Sequence, residues 1–308
     1  MKQHHVWTWP IAGYLFLGGL GAGMSIVCAV ADLFFGKGEL LGLAPLGALL
    51  CLCLGSGLLI FELGRPLQFW RVFSTQRAVL TFGAWMVILL VVFDALYFSF
   101  FSGWFPWSAA AGARAVVAVI ALLLGLGVLL YTGIELSSMK ARVLWNTPAL
   151  PVLFALSGIL TGVAGDYLVC GLWPYGGPAA DAEALAGILR PLMAGLAVAT
   201  VVSLLLYVLM MYTSSNPTGR TAATRWLRGS YALPFWLGAV AAGLVLPLLL
   251  LILGGMAAAL GALLFIVGGV FLRFLTVYSD DRRELAGERE RLLKLPHGDE
   301  PFLKSNWG

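Results

Sequence analysis

Charge is what this sequence has least of. Only 11% of its 308 residues are Asp, Glu, Lys or Arg, less than half of the roughly 25% usual for soluble domains. So few polar side chains cannot cover the surface of a water-soluble fold, and a soluble globular enzyme is excluded. Histidine is almost missing too: His4, His5 and His297 are the whole supply, and none lies in an apolar run. A membrane cytochrome b holds its haem between histidines on facing helices, so that class is excluded as well. The four cysteines, Cys28, Cys51, Cys53 and Cys170, are scattered through apolar runs. The one-residue gap between Cys51 and Cys53 suits neither a zinc pair nor a thioredoxin-like pair, and all four read as small packing residues. No metal-ligand cluster is expected. The net charge of +4 calls for no nucleic-acid partner. The opening MKQHHVWTWP lacks the basic-then-apolar layout of a signal peptide, so residues 10–34 are read as a retained helix.

What is there is apolar. Hydrophobic residues make up 60% of the chain and the mean hydropathy is +0.93. A membrane span takes roughly 20 mostly apolar residues. Runs of that length predict an all-α integral membrane protein of about eight transmembrane helices, near 10–34, 40–63, 79–101, 114–136, 147–172, 186–212, 231–253 and 256–278. They form a single membrane domain over 1–278, followed by a charged tail over 279–308. No separate soluble domain fits, and the surroundings of the chain are membrane lipid. Trp7, Trp9, Trp70, Trp104, Trp107, Trp145 and Trp173 fall at or just beyond span ends, as an interfacial aromatic belt requires. Gly18, Gly19, Gly21 and Gly23 crowd the first helix and allow neighbouring backbones to come close. No clear internal repeat is visible.

Eight spans put both termini and the loops after helices two, four and six on one side, side A. Fifteen of the nineteen basic residues fall there. Side B has Lys37 in a loop and Arg114 and Arg190 at helix starts, while Arg273 lies inside helix eight. The positive-inside rule then predicts that both termini are cytoplasmic.

Ionisable residues within spans are expensive and are functional candidates by default. Glu62 and Arg65 end helix two near side A. Glu135 ends helix four on the same side, and Tyr131, four residues earlier, shares its helix face. Tyr14 lies near the side-A start of helix one, Asn146 precedes helix five, and Arg273 lies about a turn inside the side-A end of helix eight. Two tyrosines, two carboxylates, two arginines and an amide thus share one membrane level. Such a set can supply hydrogen bonds and protons to a quinone in an apolar pocket, which on chemistry alone is one of several possible substrates. Plainer readings stand beside it. Glu62 and Arg65 also fit a structural ion pair, Arg273 a snorkelling side chain, and Tyr14 and Tyr131 packing residues. Asp94 in helix three and Asp166 in helix five lie nearer side B. They fit either part of a proton route or isolated polar groups bonded to a neighbouring helix.

Four stretches carry a resemblance: WTWPIAGYLFLGGLGAG, GRPLQFW, YTGIELSSMKARVLWNTPALPVLFALSGILTG and LRFLTVY. In this order they resemble the NrfD/polysulfide reductase family of membrane subunits along nearly the whole chain. The resemblance implies two four-helix bundles in a bacterial cytoplasmic membrane and a haem-free anchor binding menaquinone or ubiquinone. It further implies electron exchange with a docked, ferredoxin-like iron–sulfur subunit, which serves a molybdenum or multihaem catalytic subunit. Iron–sulfur clusters would belong to the partner, and this chain alone would not catalyse turnover. By the same resemblance Tyr131 matches a quinone-site tyrosine and Tyr14 stands where a relative has a quinone-contacting histidine. Glu62 stands where relatives carry an acid or a histidine, and Arg273 matches the arginine of the last helix. Glu135 rests on its position alone. In the best-known relatives the quinone site faces the periplasm, whereas the charge count here puts side A in the cytoplasm. Either the complex is inverted or the basic loops are a docking surface. Two other classes remain open: a secondary transporter or proton channel using the same charges, and a purely structural anchor.

Overall fold

The computed structural model describes residues 8–62, 79–170, 179–214 and 216–279. Within them eight helical segments are long and apolar enough to cross a membrane, and no strand is found among the described residues.

Helix α1 (Trp9–Phe35) starts with Pro10, whose missing N–H costs nothing in the first turn, and ends at Gly36, which takes the left-handed φ of 62°. A 3-10 turn (Gly38–Leu41) leads into α2 (Ala44–Glu62). Then follow α3 (Val79–Phe101), α4 (Ala111–Ser137), α5 (Ala149–Val169) and α6 (Ala179–Tyr212). The seventh span is π-helical over Pro234–Val245 and continues as α8 (Leu246–Leu253). It turns at Gly254 and Gly255, both at positive φ, into α9 (Gly255–Tyr278).

Helix α1 is the axis of the fold. It packs against α2, α4, α5 and α9 and is buried on nearly every face. Its glycines make that possible. A Cβ added at Gly23 would run into the backbone of Gly158 and Gly162 on α5, so the two helices meet backbone to backbone. Helix α5 joins the first four spans to the last four, since it also packs on α6 and α9. The outward faces carry lipid-facing apolar side chains such as Leu54, Phe61, Phe82, Leu123, Leu205 and Ile252.

Three features differ from the sequence reading. Helix α6 begins at Ala179 instead of near 186 and runs for 34 residues, about 50 Å at 1.5 Å per residue. Its first turns, with Asp181 and Glu183, extend a helix beyond the apolar run that a hydropathy reading detects. The stretch read as a loop after the sixth span contains a further helix, α7 (Pro217–Arg228), capped by Asn216 accepting from Thr218 N–H at 3.0 Å. Trp145 is not an interfacial belt residue. It is 1% exposed, and its indole donates to the Thr276 carbonyl at 2.7 Å, tying the α4–α5 connection to α9. Trp9, Trp104 and Trp107 are exposed at span ends, while Trp7, Trp70, Trp173 and the tail after residue 279 lie outside the described residues.

Candidate functional site

The residues near side A fall into a core group, a structural clamp and a bystander. The core is Tyr14, Tyr131 and Glu135. Tyr14 and Tyr131 are both buried. The polar side chains facing the Tyr131 hydroxyl are Tyr14 from α1 and Glu135 from its own helix, yet that hydroxyl has no hydrogen-bond partner among the described residues. Its ring lies in space left by Gly83 on α3, where an added Cβ would collide with the phenol. Gly55 on α2 likewise lets that helix approach the backbone of Tyr14. Glu135 is partly buried and lies one turn nearer the side-A end of α4, between the tyrosines and the surface. A hydroxyl held in an apolar setting with no partner of its own is an available donor. With a second phenol and a carboxyl nearby, this set can offer hydrogen bonds and protons to the oxygens of an apolar ligand.

Glu62 belongs to the clamp. Its carboxylate accepts from the Thr8 backbone N–H at 3.3 Å and from the Thr8 hydroxyl at 2.8 Å. Thr8 is the N-cap of α1, so Glu62 fixes the end of α2 to the start of α1 and places a negative charge where the helix dipole favours it. Arg65, the partner suggested by sequence, lies outside the described residues.

Arg273 does not snorkel. It is 2% exposed and donates to Ser157 Oγ at 2.8 Å and to the Phe154 carbonyl at 3.0 Å. Its guanidinium lies 3.8 Å from the centre of the Phe154 ring. The space it occupies is opened by Gly19, where a Cβ would sit 3.3 Å from the guanidinium. Among the described residues it pairs with neither Glu62 nor Glu135, so the role of charge partner to those carboxylates gives way to a link between α9 and α5.

Asn146 is the bystander. It is exposed, and its amide donates to the Ser137 carbonyl at 2.6 Å, which caps the end of α4 instead of entering the tyrosine group. Toward side B, Asp94 and Asp166 are both fully buried, well away from this set along their helices.

The long motif YTG…WN.P.LPVLF..SG now has a physical content. Gly133 lets α4 touch the Pro151 backbone of α5. Trp145 holds α9, Phe154 and Ser157 hold Arg273, and Gly158 meets α1. Most of the motif therefore builds the contact between helices, and Tyr131 is its chemical member. Two apolar grooves on the second half of the molecule, one lined by residues including Leu205, Tyr212 and Trp236 and one by Pro234, Phe271 and Tyr278, offer almost no polar surface. They suit lipid chains better than a quinone head.

Comparison with known proteins agrees with this architecture. The sequence profile described as "Polysulphide reductase, NrfD" matches residues 1–280. The sequence is 34% identical to the C subunit of polysulfide reductase from Wolinella succinogenes, covering 89% of this protein and 94% of that one. It is 28% identical to the protein NrfD of Escherichia coli strain K12, again over 89% of this protein and 94% of the relative. With a match over nearly its full length and eight helices of membrane-spanning length among the described residues, the chain belongs to the NrfD polysulphide reductase family of multi-pass membrane proteins.

Proposed function

We propose that this chain is the quinone-binding membrane subunit of a bacterial respiratory oxidoreductase, passing electrons between membrane quinone and an iron–sulfur subunit docked on side A. The observation that carries this is the buried, unpartnered Tyr131 hydroxyl facing Tyr14 and Glu135 at one membrane level. A bound quinone would supply a carrier of two electrons and two protons. Tyr131 and Tyr14 donate hydrogen bonds to its oxygens, and Glu135 holds a proton between the phenols and the side-A surface. Glu62 and Arg273 position α1, α5 and α9 around that group through Thr8, Ser157 and Phe154. The redox centre that exchanges electrons with the quinone would be an iron–sulfur cluster of the partner subunit. Relatives named as a polysulfide reductase subunit and as NrfD support membership of a larger reductase. The catalytic subunit would be a molybdenum or multihaem protein reached through that partner.

The test is purification from native membranes with whatever accompanies the chain, followed by iron analysis and reduction of a soluble quinone analogue. A co-purifying iron–sulfur protein and quinone-linked electron transfer are expected. A chain that purifies alone and reacts with no quinone would contradict the proposal and favour a transporter.

A further inference from the structure

A second set of ionisable side chains occupies the side-B half of the first four spans and α5, and the quinone reading does not use it. Asp94 on α3 and Asp166 on α5 are completely buried and close enough to interact electrostatically. Ser25 on α1 donates a hydrogen bond to one oxygen of Asp94. The other oxygen of Asp94 and both oxygens of Asp166 accept none from the described residues.

The groups around this pair are few. From α1 come Ser25, Cys28 and Asp32, and from α3 comes Tyr97. Arg114 on α4 is committed to Asp32 at 3.1 Å and to Glu39 at 3.5 Å. On the α6 side Asp181 pairs with Lys37 at 2.7 Å, Cys170 donates to the Ala182 carbonyl, and Arg190 lies against Gly254. On α2 and α9 the ionic groups, Glu62 and Arg273, lie at the opposite, side-A end. Among the described residues the pair therefore has no cation. Two carboxylates that feel each other's charge in an apolar interior repel and lack solvation. One proton removes one of the two charges.

We infer that Asp94 and Asp166 form a proton-binding pair that exchanges protons with side B. In the step, one proton from side-B water joins one of two carboxylates, leaving a carboxylic acid beside a carboxylate; release reverses it, and no electrons move. A ladder of polar side chains reaches the pair from that side. Glu39, 66% exposed, contacts Arg114, which contacts Asp32. The Tyr97 hydroxyl donates to Asp32 at 2.9 Å, and Cys28, whose thiol donates to the Leu41 carbonyl, lies within electrostatic reach of Tyr97, Asp32, Asp94 and Asp166. Toward side A, the glycine seam of Gly23 with Gly158 and Gly162 leaves no room between α1 and α5 for solvent. The inference is independent of the quinone site.

Infrared spectroscopy of the purified complex in nanodiscs tests it, with the wild type titrated in water and in deuterium oxide. A protonated-carboxyl stretch that shifts on deuteration is expected. It should be absent in Asp166→Asn, lost or displaced in Asp94→Asn, and unchanged in Tyr131→Phe. In sealed vesicles of known orientation, a pH step on side B should move the band and a step on side A should not. Tyr97→Phe should keep the band but slow its response on the order of a hundredfold, the loss expected on removing a positioned proton-transfer group. The inference is overturned if the folded wild type shows no such band at any pH. It is equally overturned if both Asp variants leave the band untouched, if sodium controls it, or if it answers from side A.

Discussion

At the scale of the residue, what separates the functional candidates is whether each buried polar atom has a partner. Arg273 is satisfied by Ser157 and Phe154, so its loss should be read in stability first. Arg273→Met is expected to destabilise the protein by about 2 kcal/mol, the scale of hydrogen bonds made by a charged donor, seen as a lower unfolding midpoint in detergent. An unchanged midpoint would mean that the link to α5 contributes nothing. Asn146→Ala is expected to leave quinone-analogue affinity unchanged, because its amide is spent on Ser137. Sequence placed Asn146 beside the tyrosines, since chain position gives membrane level but not the direction of a side chain in a turn. Tyr131 and Glu135 were legible because a spacing of four fixes a shared helix face. Ser25 and Tyr97 were not singled out, since single hydroxyls in apolar helices are common. Ser25, Cys28 and Asp32 do recur at three and four residues on α1, and that spacing was the available signal.

At the scale of the element, the fold rests on helix ends and glycine contacts. Glu62→Gln keeps a hydrogen-bond acceptor for Thr8 but removes the charge at the start of α1, and should cost about 0.5–1 kcal/mol by the helix-dipole effect, measurable by thermal unfolding. Gly162→Leu should be far more damaging, because any Cβ there meets the α1 backbone at Gly23. Its expected outcome is loss of folded protein from membranes, and wild-type yield would contradict the backbone-to-backbone seam. Spans were legible from apolar run length, but the start of α6 and the presence of α7 were not. The early turns of α6 are charged, and α7 is amphipathic and polar, so both escape a hydropathy reading. The start of α7 was still written in the sequence, as Asn216 followed by Pro217 with Arg225 and Arg228 in the last turn, a capped helix by the usual start and stop signals. The π-helical segment before α8 was not legible. It ends just before Pro247, which cannot donate to the i−4 carbonyl, and the Leu246 N–H reaches back to the Ala241 carbonyl.

At the scale of the whole molecule, eight spans put Tyr14, Tyr131 and Glu135 near one surface and Asp94 and Asp166 nearer the other. Basic residues crowd the loops of the first surface, including Lys140, Arg142, Arg220, Arg225 and Arg228. Reporter fusions at both termini should therefore report the cytoplasm, and a periplasmic C-terminus would turn the arrangement over. The central claim is that the Tyr131 hydroxyl holds a quinone. Its most direct test is an equilibrium titration of a quinone analogue into the intact complex, wild type against Tyr131→Phe. The phenylalanine ring still fills the space beside Gly83, so only the hydroxyl is lost. The account predicts affinity weaker by about tenfold, near the 1–1.5 kcal/mol of one hydrogen bond, with an unchanged unfolding midpoint. Equal affinity in the two proteins would contradict it.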